Sequence, residues 1–455
     1  MRSMSTRPAL LRGRTILTGS ALAMAVALAM ALPGTASAQS LQAVYEAARA
    51  YDAAYLSARA LADSAQYKAE QAEALNRPTV SAVATGSLAQ TNPYAAGYLG
   101  SQTGTGVLNG KYPLFNRGNT ANIEQARKAL ISAQADLDVA EQDLLVRVAQ
   151  AYFDVLASQD ALGTQRANKV AITEQLASAK RNFEVGTATI TDTREAQAKD
   201  DLATAQVIAA ENDLLTKRTV LDQLVGRQNV TPKPLLVPVV LPSTQPANAE
   251  EWVTNADSVH PSVRKARLGL DVAQLEIDKA KAAKLPTVDA VASATASNTR
   301  GALPEYSHTA GPTRIGSVGV QLNWTIFAGG SLENRVKETV SLEEKARNDL
   351  EAARRGVAQG TRVAYFGVQS GLAQVKALEA AESSTKLALE ATQLGYKVGV
   401  RVNLDVLNAQ TQLYTTQRDL AKARYDVLVG GLKLRQAAGQ LNAGDLNAVN
   451  ALLAK

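Results

Sequence analysis

The sequence predicts a mixed α and β fold made of two tandem structural repeats, each with long coiled-coil helices and one β-hairpin. Three observations support this prediction: an internal duplication, long stretches without proline, and short runs in which apolar and polar residues alternate. Only 4% of the 455 residues are aromatic, which is low for a globular enzyme or a β-sandwich. Ala, Leu, Gln and Val recur instead, and this bias favours long helices.

Residues 1–38 have the pattern of a secretory signal peptide. A basic start precedes an apolar run from Ile16 to Leu32, and Ala36-Ser37-Ala38 supplies small residues for cleavage. A transmembrane anchor is the alternative, but the run is short and the small residues follow it directly. The expected mature chain contains no run of 18 apolar residues, so a periplasmic protein, a secreted protein or a β-barrel is predicted.

The composition excludes several kinds of chemistry. The chain has no cysteine, which excludes disulfides, thiolate metal sites and a lipid-anchored N-terminal cysteine. Its two histidines are too few for a histidine-rich metal site. No nucleotide-binding, serine-hydrolase or zinc-protease motif is present. We therefore predict no catalytic residues, cofactor or metal. Much of the +6 formal charge lies in the expected signal peptide, so nucleic acid is not an expected partner.

The chain is internally duplicated with a period of about 213 residues. Phe183-Glu184-Val185-Gly186 recurs as Tyr396-Lys397-Val398-Gly399, and Ala151-Tyr152-Phe153 recurs as Ala364-Tyr365-Phe366. The expected segments are a signal peptide (1–38), repeat 1 (39–230, hairpin about 78–115), a proline-rich connector (231–247), repeat 2 (248–445, hairpin about 286–327) and a C-terminal tail (446–455).

Each repeat is predicted to begin with one helix, over 40–76 and 249–284, that stops before a proline. Proline is then absent from 114 to 231 and from 313 to 455. The stretch from Gly118 to Val185 predicts a helix about 100 Å long. Val406 begins a strict heptad that predicts coiled-coil packing. Its members are Val406, Leu413, Leu420, Val427 and Leu434, with Ala, Thr or Gly three positions after each.

Alternating runs predict two strands in each repeat. In repeat 2, apolar Val318, Val320, Leu322, Trp324 and Ile326 alternate with polar or small residues. Four strands cannot close a lipid-exposed barrel, because open edges leave backbone groups unsatisfied in hydrocarbon. Several chains would have to share one barrel. Two chains would give eight strands, whose interior is largely filled by side chains, and three chains would give twelve strands with room for a lumen. Two soluble hairpins that cap a helical rod are the alternative.

Two segments are the most distinctive part of the sequence. They are GYKVGVRVNLDVLNAQ at 395–410 and LAKARY at 420–425. Together with the signal peptide, the duplication and the paired hairpins, they resemble the TolC family of outer-membrane channel proteins, and especially its secretion-type members without a lipid anchor. The resemblance covers essentially the whole mature chain. It implies a homotrimer with a twelve-stranded transmembrane barrel, continued by a periplasmic α-helical barrel.

The family resemblance also implies a periplasmic gate. Tyr396 and Arg401 match the residues that tie the inner coiled coil to the outer one, and Gln175, Thr191 and Asp192 match their partners. Asp405 matches an acidic ring at the constriction, while Asn408 replaces a second acid found in close relatives. Gly186 and Gly399 match the helix-turn tips that dock an adaptor.

The implied function is passive conduction of small toxic compounds or unfolded proteins in tripartite efflux and type I secretion. The implied partners are a periplasmic adaptor (membrane fusion) protein, an inner-membrane transporter of ABC, RND or MFS type, and outer-membrane lipid. The implied location is the outer membrane of a Gram-negative bacterium, with a large periplasmic part. A soluble periplasmic scaffold or adaptor remains the alternative, and an exported enzyme has almost no support.

Overall fold

The computed structural model describes residues 38–91, 99–236, 238–301 and 311–454. The predicted signal peptide lies outside the described residues except for Ala38. In repeat 1 the elements are α1 (Leu41–Tyr51), α2 (Ala53–Glu73), β1 (Thr79–Thr91), β2 (Leu99–Phe115), α3 (Arg117–Glu184) and α4 (Ile190–Val225). In repeat 2 they are α5 (Ala249–Val259), α6 (Pro261–Ala282), β3 (Thr287–Gly301), β4 (Gly311–Asn323), α7 (Ser331–Lys397) and α8 (Asn403–Ala437), followed by α9 (Asp445–Asn450).

The first helix predicted in each repeat is two helices, so the prediction of single helices over 40–76 and 249–284 is wrong. Asp52 separates α1 from α2 and caps α2 by accepting the Tyr55 N–H at 2.8 Å. His260 does the same before α6, where its Nδ1 accepts the Ser262 N–H at 3.1 Å. Pro261 cannot donate a backbone hydrogen bond, but it is well suited to the first position of a new helix.

The long helices have the predicted form. Helix α3 contains 68 residues and α7 contains 67. They end close to Gly186 and Gly399, whose φ angles of +78° and +81° suit glycine in a left-handed turn. Helices α4 and α8 return from these turns, so each repeat carries one long helical hairpin. Both hairpins have their turns at the same end.

The heptad prediction on α8 is confirmed, because Val406, Leu413, Leu420, Val427 and Leu434 are all buried. Close approach of helices is seen at Gly371 of α7, where a Cβ atom would lie 2.9 Å from the Val427 side chain. Gly430 of α8 is nearly as tight, with a Cβ position 3.4 Å from the Val368 side chain. Small residues therefore bring α7 and α8 together, as the sequence indicated.

The four strands form one antiparallel sheet in the order β1-β2-β3-β4, so the two hairpins pair through β2 and β3. In a single chain, β1 and β4 are both edges of this sheet. The predicted alternation extended through Trp324 and Ile326, but β4 ends at Asn323. That part of the prediction is wrong: Trp324 lies beyond the strand, and its indole N–H donates to the Lys284 carbonyl at 3.1 Å.

The main hydrophobic core joins both repeats near the middle of α3 and along the C-terminal half of α8. Tyr152 and Phe153 of α3 are fully buried there, and the Phe153 ring lies 5.7 Å from the ring of Tyr425 on α8. The Tyr152 hydroxyl donates to the Gln39 carbonyl at 2.9 Å and accepts the Lys233 N–H at 2.8 Å. The connector between the repeats is thereby fixed to the core.

Candidate functional site: the curved sheet and the helical tip

The sheet has one convex and one concave face, which the burial of alternate residues reveals. On β3, Ala292, Ala294 and Ala296 are exposed, whereas Ser293 and Thr295 between them are half-buried. On β4, the convex face carries Val318, Val320 and Leu322, which the strand register places beside the even-numbered residues of β3. The convex face is therefore apolar or small, and the concave face is rich in hydroxyl groups.

Polar contacts link the strands across the concave face. The hydroxyls of Thr103 and Thr299 lie 3.2 Å apart, and those of Ser293 and Ser317 lie 2.8 Å apart. Near the helical end, Lys111 Nζ lies 2.9 Å from Asp289 Oδ2. Since apolar residues outside and polar residues inside are the pattern of a water-filled membrane barrel, this curvature is suited to lining an aqueous lumen.

The two helix turns at the tip are capped differently. In repeat 1, Thr189 and Asp192 form a capping box in which Asp192 Oδ2 accepts the Thr189 N–H at 2.9 Å and its hydroxyl at 2.7 Å. In repeat 2, Val402 stands at the equivalent cap position and makes no side-chain cap. Consequently the Asp192 carboxylate stabilises the turn before α4, whereas the turn before α8 has no equivalent side-chain cap.

Hydrogen bonds join the two tips, but the partners differ from those that the resemblance implied. Tyr396 accepts a hydrogen bond from Asn182 Nδ2 at 3.3 Å, and Gln175 donates to the Asn403 side chain. Arg401, in the turn before α8, lies beside Asp405 of α8, with 3.5 Å between Nη1 and Oδ2. Within the described part of one chain, neither Thr191 nor Asp192 is hydrogen-bonded to Tyr396 or Arg401.

Lys199 is a contact that the sequence analysis missed. Its Nζ donates to Asn408 Oδ1 at 3.1 Å and so links α4 to α8 just above the tip. Asn182 and Asn403 were missed as well, because neither residue type is repeated: the duplicate of Asn182 is Gly395, and the duplicate of Asn403 is Ile190. A search for positions where the two repeats differ in polarity would have found them.

A small apolar cluster lies directly behind these polar links. Leu407 of α8 is fully buried against Ile172 and Leu176 of α3 and against Ala196 and Ala203 of α4. The tip of repeat 2 is therefore held to the tip of repeat 1 by one leucine and a few hydrogen bonds. This apolar cluster is much smaller than the main core around Tyr152 and Phe153.

A curved sheet with a polar concave face, continued by two long helical hairpins, defines the chain as part of a channel. Among the described residues, no helix is long and apolar enough to cross a membrane. The outer membrane efflux protein family model matches residues 37–227 and 252–440, which places one match on each repeat. This chain belongs to that family, and it is an outer-membrane efflux channel rather than an enzyme.

Several bacterial proteins are similar to this chain over most of their length. The outer membrane protein TolC of Escherichia coli strain K12 is 30% identical over 447 residues, which cover 94% of this chain and 89% of that protein. TolC of Vibrio cholerae is 33% identical over 76% of this chain and 78% of its own. The alkaline protease secretion protein AprF of Pseudomonas aeruginosa is 34% identical over 68% and 64%. Channels of this family are trimeric outer-membrane components of tripartite efflux and secretion systems.

Solved structures have the same fold at low sequence identity. CusC superposes with a TM-score of 0.76 at 16% identity, covering 88% of this chain and 92% of its own. VceC from Vibrio cholerae superposes with a TM-score of 0.73 at 20% identity, covering 88% and 96%. These similarities confirm the predicted fold class of two tandem repeats with long helices and hairpins.

Proposed function

We propose that three copies of this chain form the exit duct of tripartite efflux and type I secretion systems in a Gram-negative bacterium. The repeats at 39–230 and 248–445, joined by the connector at 231–247 and followed by the tail at 446–455, each supply one hairpin to the barrel and one helical hairpin to a periplasmic tunnel. The curvature of the sheet supports this most directly. Its two free edges need strands from other copies before the barrel can enter lipid.

The convex face is the surface that would contact outer-membrane lipid. Val318, Val320 and Leu322 are 90%, 69% and 61% exposed in the single chain. Exposure of such an apolar row to water is unfavourable, whereas its contact with hydrocarbon is favourable. A soluble scaffold has no need of it. Recovery of the protein from the periplasm without detergent would therefore contradict the duct.

The tip with Gly186 and Gly399 would face the cell interior and dock a periplasmic adaptor (membrane fusion) protein. An inner-membrane transporter of ABC, RND or MFS type would complete the assembly. Both turns are exposed, and no side chain lies within 4 Å of a Cβ built on either glycine. Open space around both turns suits them to contact with a partner. Substitution of either glycine by a bulky residue should weaken adaptor co-purification while the trimer stays intact.

The same tip would act as the gate, with Gln175, Thr191, Asp192, Tyr396, Arg401 and Asp405 as its residues. Tyr396 and Gln175 tie repeat 2 to repeat 1 inside one chain. Arg401, Thr191 and Asp192 would act between neighbouring copies, since no contact joins Arg401 to the other two within the described single chain. Asp405 would then line the constriction, where a carboxylate ring favours cations.

Single-channel conductance in planar bilayers tests the gate. The double variant Tyr396→Phe with Arg401→Ser removes one hydrogen bond within the chain and one charge beside Asp405, so conductance should rise at unchanged trimer yield. Tyr414→Phe is the matched control on α8, away from the tip, and should conduct like the parent protein. If the double variant also conducts like the parent, Tyr396 and Arg401 do not hold the tip closed.

A further inference from the structure

A cavity of about 960 Å³ lies against the middle of α3, between the corner of α1 and α2, the end of α4 and the C-terminal part of α8. A cavity of this volume can hold a drug-sized molecule. Its lining combines apolar side chains with a few charged ones, which is the ordinary composition of a ligand site. The apolar members include Tyr51, Val220 and Leu224, and the charged members include Arg147, Asp154 and Lys433.

The cavity lies on the side of the helical layer that would face the lumen. The main core packs α1, the connector and α9 onto one side of α3, where Leu145 and Tyr152 are buried. Arg147, Gln150 and Asp154 follow one another at spacings of three and four residues, so they form a stripe on the opposite side of α3. A duct has to keep its lumen open, so the added elements belong outside the tunnel and the stripe inside it. This assignment rests on the proposed exit duct.

Two of the charged groups in the lining already have partners of opposite charge. The Arg147 guanidinium binds both oxygens of Asp52, at 2.9 and 3.0 Å. Asp154 Oδ2 accepts a hydrogen bond from Lys217 Nζ at 3.2 Å. These two ion pairs leave no net charge on the cavity wall.

Lys433 is the charged group that remains. Its Nζ donates to the neutral amide oxygen of Gln150 at 2.9 Å, and among the described residues it forms no ion pair. Asp143, the next acid along the stripe, lies outside the cavity lining and accepts from Gln436 Nε2 at 2.6 Å. Because an ammonium group has three donors, Lys433 can bind an anion without giving up its contact with Gln150.

Tyr51 supplies an aromatic ring whose position is fixed by the backbone beside it. The ring lies directly against Gly226 at the end of α4, where a Cβ atom would be 2.4 Å from the ring Cγ. Tyr51 is nevertheless 58% exposed, and Val220 in the same lining is 50% exposed. An exposed ring that is held in place beside an apolar side chain is suited to contact with a flat aromatic molecule.

We propose that this cavity is a binding site for aromatic anions in the wall of the duct. Lys433 pairs with the negative group, and Tyr51 and Val220 contact the ring. Aromatic anions that pass through the lumen are therefore held at the wall, whereas anions without a ring and rings without a negative charge are held less.

The duplication shows that the polar stripe is particular to repeat 1. Its three positions on α3 correspond to Gly360, Val363 and Gly367 of α7. None of these residues carries a charged or amide side chain, so repeat 2 has no equivalent anchor for the cavity. Each chain thus provides one such site, and a trimer would provide three.

Protection of a single cysteine tests the site, because the native chain contains no cysteine. The variant Val220→Cys places one thiol in the cavity. The trimer, held in lipid nanodiscs, is labelled with a neutral maleimide at rising concentrations of naphthalenesulfonate, and mass spectrometry of the chain measures the labelling rate. Lys422→Cys is the matched control, since Lys422 lies on the same face of α8 as Lys433, about three helical turns away and outside the cavity lining.

Naphthalenesulfonate should slow the labelling of Val220→Cys and leave that of Lys422→Cys unchanged. Lys433→Gln added to Val220→Cys should raise the half-protecting concentration about three- to fivefold, the usual effect of losing one partly exposed ion pair. Lys422→Gln added to Val220→Cys removes the same charge outside the cavity and should leave that concentration unchanged. Methanesulfonate, an anion without a ring, should protect neither thiol.

The site would be overturned if the probe did not slow labelling of Val220→Cys, or if that thiol did not react in the trimer. Equal protection by methanesulfonate, or equal effects of Lys433→Gln and Lys422→Gln, would overturn it as well. All of these outcomes leave the exit duct in place, because trimer formation and conductance are measured separately. Absence of any trimer in native mass spectrometry of the parent protein would instead overturn the proposed duct and this site with it.

Discussion

The corner between α1 and α2 makes a sharp prediction for local stability. The Asp52 carboxylate caps α2 through the Tyr55 N–H at 2.8 Å and binds the Arg147 guanidinium of α3 with both oxygens, at 2.9 and 3.0 Å. Loss of an N-cap costs about 1 kcal/mol. The Arg147 side chain is 45% exposed, so solvent screening limits the ion pair to about 0.5–1 kcal/mol. Asp52→Ala should therefore lose about 1.5–2 kcal/mol, and Asp52→Asn, which keeps the cap, about 0.5–1 kcal/mol.

Hydrogen exchange measured by mass spectrometry reports the local stability of this corner separately from that of the rest of the protein. Since about 1.4 kcal/mol corresponds to a tenfold change, Asp52→Ala should speed exchange in the first turns of α2 by roughly ten- to thirtyfold. Asp52→Asn should speed it by roughly two- to fivefold. Arg147→Leu should resemble Asp52→Asn. Equal effects of Asp52→Ala and Asp52→Asn would refute the division into a cap and an ion pair.

The same corner should depend on pH in a defined direction. The hydrogen bonds from Arg147 hold the pKa of Asp52 below its ordinary value. A carboxyl whose pKa is lowered by folding contributes stability above the unfolded pKa of about 3.9, and that stability is lost as pH falls through the folded value. The protection factor of the α2 amides, which removes the intrinsic pH dependence of exchange, should therefore be constant near neutral pH and fall below about pH 4 in the parent protein. The Asp52→Asn variant should lack this fall.

Four further predictions concern residues of the second repeat and one partner in the first. Burial lowers the pKa of His260, so its cap on α6 should weaken as pH falls below about 6.5, and His260→Asn should remove that dependence in hydrogen exchange. Gly399→Ala should destabilise its turn by about 1 kcal/mol through the left-handed φ, seen as faster exchange at the tip alone. Because the Lys199 ammonium contacts Asn408 and would neutralise an acid there, Asn408→Asp alone should increase channel block by trivalent cations only slightly. The double variant Asn408→Asp with Lys199→Gln should increase the block strongly. Equal block in the single and the double variant would contradict the contact. Asp405→Asn should abolish most cation selectivity, measured as reversal potential in low salt.

Much of the architecture followed from the sequence alone because its signals are local. The 68-residue helix α3 was predicted to within a residue or two, since a proline-free stretch bounded by glycine has few other solutions. The heptad from Val406 to Leu434 fixed which face of α8 is buried, because helical periodicity is a property of the chain itself. The helix breaks at Asp52 and His260 were missed because a single capping residue is a weak signal compared with a long helical pattern in the sequence.

The arrangement of side chains at the tip was decided only by tertiary structure. The sequence placed Tyr396 and Arg401 beside a turn, but which residues they meet depends on how α3, α4, α7 and α8 pack side by side. Asn182 meets Tyr396 and Lys199 meets Asn408 across sequence separations of more than 200 residues. Contacts between residues so far apart in the sequence leave no periodic pattern from which they could be predicted. The duplication supplies the positions, and the packing of one hairpin against the other supplies the partners.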